Sequence, residues 1–99
     1  MAKIFLSGIG GSGLSAIAGY LADKGNEVWG SDRAFDIDGE HVMIKPLIQK
    51  GIKIVPQDGT SIDRTFDLII FSTAIEYSNP EYIRAKSLGI SIKKRDRKS

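Results

Sequence analysis

Short apolar runs alternate along this chain with longer stretches in which apolar residues recur every three or four positions. Ile4-Phe5-Leu6 predicts a first strand, Lys3 to Ser7. Beyond a glycine-rich turn, Leu14, Ile17, Ala18 and Leu21 fall at i, i+3, i+4 and i+7, one stripe of a helix from about Ser12 to Lys24. Gly25 ends that helix, and Glu27 to Ser31 reads as strand two. Arg33 to Gly39 reads as a loop. A second helix then ends near Lys50, with Gly51 as its stop. Pro46 either kinks it or sits in its first turn, because an interior proline removes a hydrogen bond and clashes with the turn before it. Lys53 to Val55 is strand three, and Pro56 to Asp63 is a turn-rich connection. Leu68 to Ser72 is nearly all apolar, as a central strand buried on both faces should be. In Asn79-Pro80-Glu81 the asparagine caps a helix, the proline suits its first position and the glutamate meets the positive end of its dipole. That helix runs to Leu88, Gly89 stops it, and Ile90 to Lys93 is strand five.

Alternating strands and helices predict an α/β fold: three layers, Rossmann-like, around a five-stranded and mostly parallel sheet. Right-handed crossovers give the strand order 3-2-1-4-5. The switch point then lies between strands one and four. The glycine turn and Ser72-Thr73-Ala74-Ile75 meet there, and a ligand is expected across them.

Composition narrows the picture. Ninety-nine residues make one domain. No apolar run approaches the ~20 residues that span a bilayer. No basic segment precedes a long apolar one at the start, so no signal peptide and a cytoplasmic location are expected. The absence of cysteine excludes disulfides and thiolate metal sites. The net charge of +2 comes from the C-terminal end, where Lys93, Lys94, Arg95, Arg97 and Lys98 crowd around Asp96. No aromatic residue is interleaved there to stack bases, so the tail reads as a strand end entering a solvated linker. Neither a nucleic-acid nor a membrane partner is expected.

The chemistry concentrates in the first turn. Gly8, Gly10 and Gly13 match G-x-G-x-x-G, and Asp32 follows Gly13 by about 20 residues, as the dinucleotide fingerprint requires. A helix N-terminus offers unpaired amides and positive potential, so strand, turn and helix together form a pyrophosphate cradle. Asp32 can accept from ribose hydroxyls or from the N3–H of a uracil. The residues alone leave open an NAD-binding module of an oxidoreductase or transporter regulator, another pyrophosphate-linked nucleotide, or a non-binding interaction domain. No G-x-x-x-x-G-K-[ST] is present, so the chain builds no P-loop. Asp36, Asp38 and Glu40 resemble the start of a calcium loop but lack its remaining ligands, and read as a solvated loop. His41 has no serine or cysteine partner at suitable spacing and reads as a surface residue, while Trp29 and Phe71 read as core. Nothing forms a catalytic triad or an acid–base pair.

One family joins these pieces. Gly8-Ile9-Gly10-Gly11-Ser12-Gly13-Leu14-Ser15, then Ala16-Ile17-Ala18, Gly30-Ser31-Asp32, Ser72-Thr73-Ala74-Ile75, Asn79-Pro80-Glu81, Gly89-Ile90 and Lys94-Arg95 occur in a telling order and spacing. Over nearly its whole length the chain resembles the N-terminal domain of the Mur ligases, nearest the branch that adds L-alanine to UDP-N-acetylmuramate. The resemblance implies a domain, residues 1–95, that binds the UDP part of that peptidoglycan precursor, with 96–99 starting a linker. It implies that Gly10, Gly11, Ser12, Gly13 and Ser15 hold the diphosphate, and that Asp32, Arg33, Thr73, Ala74 and Ile75 line the uridine. No catalytic residue and no cofactor are implied for this stretch. ATP and Mg belong to a central ATPase domain of the parent enzyme, which activates the muramoyl carboxylate as an acyl phosphate for attack by the alanine amine. The 99 residues alone should be inactive. Two departures leave the co-substrate open. Arg33 to Lys50 is longer than usual in the alanine branch, as in a relative that attaches murein tripeptide to the same nucleotide, and Arg95-Asp96-Arg97 replaces the usual Arg-Ala-Glu.

Overall fold

The computed structural model describes residues 1–73 and 75–94, apart from the side chain of residue 12. Its elements are β1 (Lys3–Ser7), α1 (Ser12–Asp23), β2 (Glu27–Ser31), α2 (Arg33–Ile37), α3 (Ile44–Gln49), β3 (Lys53–Ile54), β4 (Leu68–Phe71), α4 (Pro80–Leu88) and β5 (Ile92–Lys94). All neighbouring strands are parallel, in the order β3-β2-β1-β4-β5, as the crossover rule requires.

The period-2 alternation of strand side chains splits the core in two. Ile4, Leu6, Val28 and Ile70 face one side, where Leu14 and Ala18 of α1, Phe35 of α2 and Leu47 of α3 pack. Phe5, Ile69 and Phe71 face the other, covered by Ala85 of α4 and by Ile62 and Phe66. Those last two come from the β3–β4 connection, which is irregular and does a helix's covering work with single side chains. Phe66 stands edge-on to both Phe5 and Trp29, with ring centroids 5.4 and 5.7 Å apart. Trp29 is half-buried and packs against this cluster, so it borders the core rather than filling it. The loop cover there is thin, and the ammonium groups of Lys3 and Lys53 lie over the indole.

Three segments differ from expectation for local reasons. Arg33–Ile37 is a short helix rather than a loop, because Asp32 caps it by accepting from the Ala34 amide at 2.9 Å and Phe35 anchors it in the core. The helix before Gly51 starts late, at Ile44, so Pro46 sits in its first turn without a kink. Strand five begins at Ile92, because the Ile90 amide is spent on the Ala85 carbonyl that closes α4. Among the described residues no helix is long and apolar enough to cross a membrane. The expected boundary at 95/96, and the tail residues Arg95, Asp96, Arg97 and Lys98, lie outside the described residues.

Candidate functional site

The glycine turn is wired to the end of β2. The amides of Gly8 and Ile9 both donate to the Ser31 carbonyl, at 2.8 and 2.9 Å, and the Gly10 amide donates to Asp32 Oδ2 at 2.8 Å. The Gly11 amide closes the turn on the Gly8 carbonyl. Gly8 has φ +88°, a region glycine enters cheaply, and a Cβ there would lie 2.7 Å from Ser72 Cβ. Close packing also excludes side chains at Gly10, whose Cβ would meet Asp32 Oδ2 at 2.8 Å, and at Gly30, whose Cβ would meet Ile9 Cδ1 at 2.3 Å. Gly11 differs: its backbone is ordinary (φ −66°, ψ 146°), and a Cβ would meet nothing closer than the Gly8 carbonyl at 3.5 Å. The first bond of α1 runs from the Ser15 amide to the Gly11 carbonyl. The amides of Ser12, Gly13 and Leu14 therefore precede any intrahelical acceptor and are the donors that the helix start offers a ligand.

The facing wall follows β4. Ile75 is buried, its amide donates to the Ser72 carbonyl, and its own carbonyl accepts from Lys94 Nζ at 3.0 Å. Asn79 caps α4 by accepting from the Glu81 amide at 2.8 Å, and its Nδ2 donates to Gln57 Oε1 at 3.4 Å. The Gln57 amide donates to Asp36 Oδ2, which ties the β3–β4 connection to α2. A cavity of about 600 Å³ opens between these walls, lined by Gly8, Gly11, Asp32, Arg33, Gln57, Ser72, Ile75, Glu76, Ser78, Asn79 and Pro80. The starts of α1 and α4 both face it, so two helix dipoles favour a negative group there.

Of the residues named from the sequence, Gly11, Asp32, Arg33 and Ile75 line this cavity together. Gly10 stands behind it with its amide engaged by Asp32. Gly13 and Ser15 lie in the first turn of α1, and Thr73 is exposed on the connection after β4. Ala74 lies outside the described residues. Asp32 is half-buried, and each of its oxygens already accepts one backbone amide, from Gly10 and Ala34. A carboxylate has room for further donors, so this wiring aims the group without saturating it. Gln57 and Ser78 were missed, because nothing in a turn-rich loop shows which side chain folds back to the sheet. His41 is half-buried and its Nδ1 accepts from the Met43 amide at 3.1 Å. Asp38 accepts from the Glu40 amide and Asp36 from the Gln57 amide, so these two carboxylates serve backbone amides. Among the described residues no group of three or more His, Asp or Glu side chains could hold a metal ion.

A second carboxyl group was missed as well. Glu81 is fully buried, and its Oε1 accepts from the hydroxyls of both Ser7 and Ser31 at 2.6 Å. Its Oε2 is buried without a partner among the described residues. Burial raises its pKa to about 7 against the opposing pull of the two hydroxyls, and Asp36 and Asp58 push it further up. The available signal was the pair of serines ending β1 and β2, which the register Ser7↔Ser31 sets side by side.

Fold and cavity define a doubly wound α/β domain with an anion-favouring site at its switch point. Family comparison gives that class a lineage. The model of the "Mur ligase family, catalytic domain" matches residues 3–97, and the chain belongs to the Mur ligase family. It is 41% identical over 91 residues to the UDP-N-acetylmuramate–L-alanine ligase of Campylobacter jejuni, covering 91% of this chain and 20% of that protein. Against the same-named enzyme of Caldicellulosiruptor saccharolyticus it is 37% identical over 95 residues, covering 96% and 20%. The crystal structure of UDP-N-acetylmuramate–alanine ligase from Thermotoga maritima superposes with a TM-score of 0.81 at 34% identity, over 96% of this chain and 21% of that one. A UDP-N-acetylmuramate:L-alanyl-γ-D-glutamyl-meso-diaminopimelate ligase from Neisseria meningitides shares the fold with the same TM-score at 22% identity, over 95% and 28%. The chain thus spans about a fifth of the length of the curated relatives it matches.

Proposed function

We propose that this chain is the UDP-sugar-binding domain of a peptidoglycan-precursor ligase that joins L-alanine to UDP-N-acetylmuramate at the expense of ATP. The observation that carries this reading is the cavity at the switch point, where the glycine turn, Asp32 and the start of α4 converge. The amides of Ser12, Gly13 and Leu14 hold the diphosphate at the positive end of α1. Gly10 and Gly11 shape the turn, with their own amides engaged within the fold. Asp32 accepts from the uracil N3–H while its wiring to Gly10 and Ala34 fixes its direction. Arg33, Thr73, Ala74 and Ile75 border the uridine. The chain orients the sugar nucleotide and contributes no group to the acyl-phosphate chemistry. ATP and Mg are held in the central domain of a longer parent, since the sequence here has no P-loop. L-alanine rather than a peptide is the co-substrate supported by the alanine-adding relatives at 34–41% identity.

An amide NMR titration with UDP-N-acetylmuramate, and with NADH in a parallel sample, tests this. Shifts confined to Gly11 to Leu14, Asp32, Arg33 and Thr73 to Ile75 with the UDP-sugar alone are expected. Shifts with NADH alone would overturn the reading in favour of a dinucleotide-cofactor module.

A further inference from the structure

Glu81 is a costly residue to keep where it is. A fully buried carboxyl with one unpartnered oxygen destabilises a fold unless something is gained by its presence. Its place shows what is gained. Ser7 ends β1 and Ser31 ends β2, both on the face covered by α4, and one oxygen of Glu81 receives both hydroxyls. Ser31 is also the residue whose carbonyl takes the amides of Gly8 and Ile9, and it immediately precedes Asp32, which takes the amide of Gly10. The amides of Gly8, Ile9 and Gly10 thus all hang on Ser31 and Asp32, at the end of β2. Glu81 joins that end to β1 and to the start of α4.

We propose that Glu81 is a positioning residue for the anion site: it clamps Ser7 to Ser31 and thereby fixes the Ser31 carbonyl and Asp32, on which the glycine turn hangs. The proposal rests on the nucleotide-binding reading only for its consequence in affinity. The clamp itself is a property of the unliganded chain. It also makes the turn sensitive to the charge on Glu81. The charged groups acting on that carboxyl are Asp36 of α2 and Asp58 of the β3–β4 connection, both negative, while β1 and β2 present only hydroxyls. A diphosphate bound in the cavity adds to the same repulsion, so binding and protonation of Glu81 reinforce each other.

The experiment compares amide hydrogen exchange in the wild-type chain, Glu81→Ala and Glu81→Gln without ligand, followed by titration with UDP. Glutamine keeps a carbonyl that accepts from both serines, whereas alanine removes the acceptor. In Glu81→Ala, protection at Gly8, Ile9 and Gly10 should fall at least tenfold relative to core amides such as Ala18 and Ile70, and glutamine should restore most of it. In the wild type, the shifts of Gly8 to Gly10 and Ser31 should titrate with a midpoint near 7, and in Glu81→Gln they should not. UDP should bind at least tenfold more weakly to Glu81→Ala than to Glu81→Gln. Uniform loss of protection across the chain would reduce Glu81 to a general stabiliser and overturn the proposal, as would unchanged protection at the turn. If Glu81→Ala does not fold, Ser31→Ala, which removes one of the two hydroxyls that Glu81 Oε1 receives, decides, and unchanged protection at Gly8 to Gly10 in that variant overturns it. Absence of UDP binding by the wild type would count against the nucleotide reading, while the exchange data still decide the clamp.

Discussion

Neighbouring glycines in the first turn are constrained by different things. Gly10 is held by the fold, because a methyl there would press on the Asp32 carboxylate and on Phe35 Cζ at 3.1 Å. Gly11 is not, because its backbone suits any residue and the space beside it opens into the cavity. Gly10→Ala should therefore lower stability by about 1–3 kcal/mol, as overpacked sites do. Gly11→Ala should melt like the wild type yet bind UDP on the order of tenfold more weakly, since its methyl stands off the phosphate from charge-assisted amide bonds. Thermal melts beside UDP titrations check both. Equal affinity in Gly11→Ala would move the diphosphate away from the start of α1. The glycine spacing was legible in the sequence. Which glycine serves the fold and which serves the ligand was not, because that depends on Asp32 and Phe35 returning to the turn from β2 and α2.

Elements whose boundaries are set by adjacent residues were the readable ones. β1, β2 and α4 fall where the pattern places them, since apolar runs and the Asn79, Pro80 and Gly89 signals act within a few residues of each other. The Asn79 cap accounts for much of the definition of α4, whose surface is largely polar. Asn79→Ala should cost about 1 kcal/mol and lower the melting temperature by about 4–8 °C. Because Asn79 also reaches Gln57 across the cavity, the loosening should extend to the β3–β4 connection. Exchange protection at Gln57 and the Glu81 amide would show this, and a loss confined to α4 would limit the asparagine to its capping role. The missed helix combines a local cap with an anchor decided at a distance. Arg33–Ile37 has too few residues for a periodic signal and forms because Asp32 caps it and the core receives Phe35.

For the molecule as a whole, the buried carboxyl sets a pH dependence opposite to that of ordinary surface acids. Unfolded, Glu81 loses its proton near its ordinary value of 4.5, and folded it does so near 7. Between those values the folded chain binds a proton that the unfolded chain lacks, so raising the pH favours unfolding. Stability should fall by up to about 3 kcal/mol from pH 4.5 to 7 and change little above. Asp58 and Asp63, held below their ordinary range by hydroxyl and amide donors from Thr60 and Thr65, act in the other direction, at lower pH. Urea denaturation of the wild type and Glu81→Gln between pH 4.5 and 8 measures the difference. The wild type should lose stability across that window and the variant should not, and parallel profiles would place the folded pKa near its ordinary value.

The amino-acid sequence by itself determined the alternation of strands and helices, the strand order and the glycine turn with its acidic partner. These follow from periodicity, from short-range capping and from the chirality of crossovers, all of which act locally or by general rule. Only the tertiary structure decided that Gln57 crosses to Asn79, that Lys94 braces the Ile75 carbonyl and that Glu81 lies between Ser7 and Ser31. Each of those contacts joins residues 19 to 74 positions apart. The pattern of a single chain carries no signal at such separations, because it is the assembled sheet, with its parallel register, that brings the partners together.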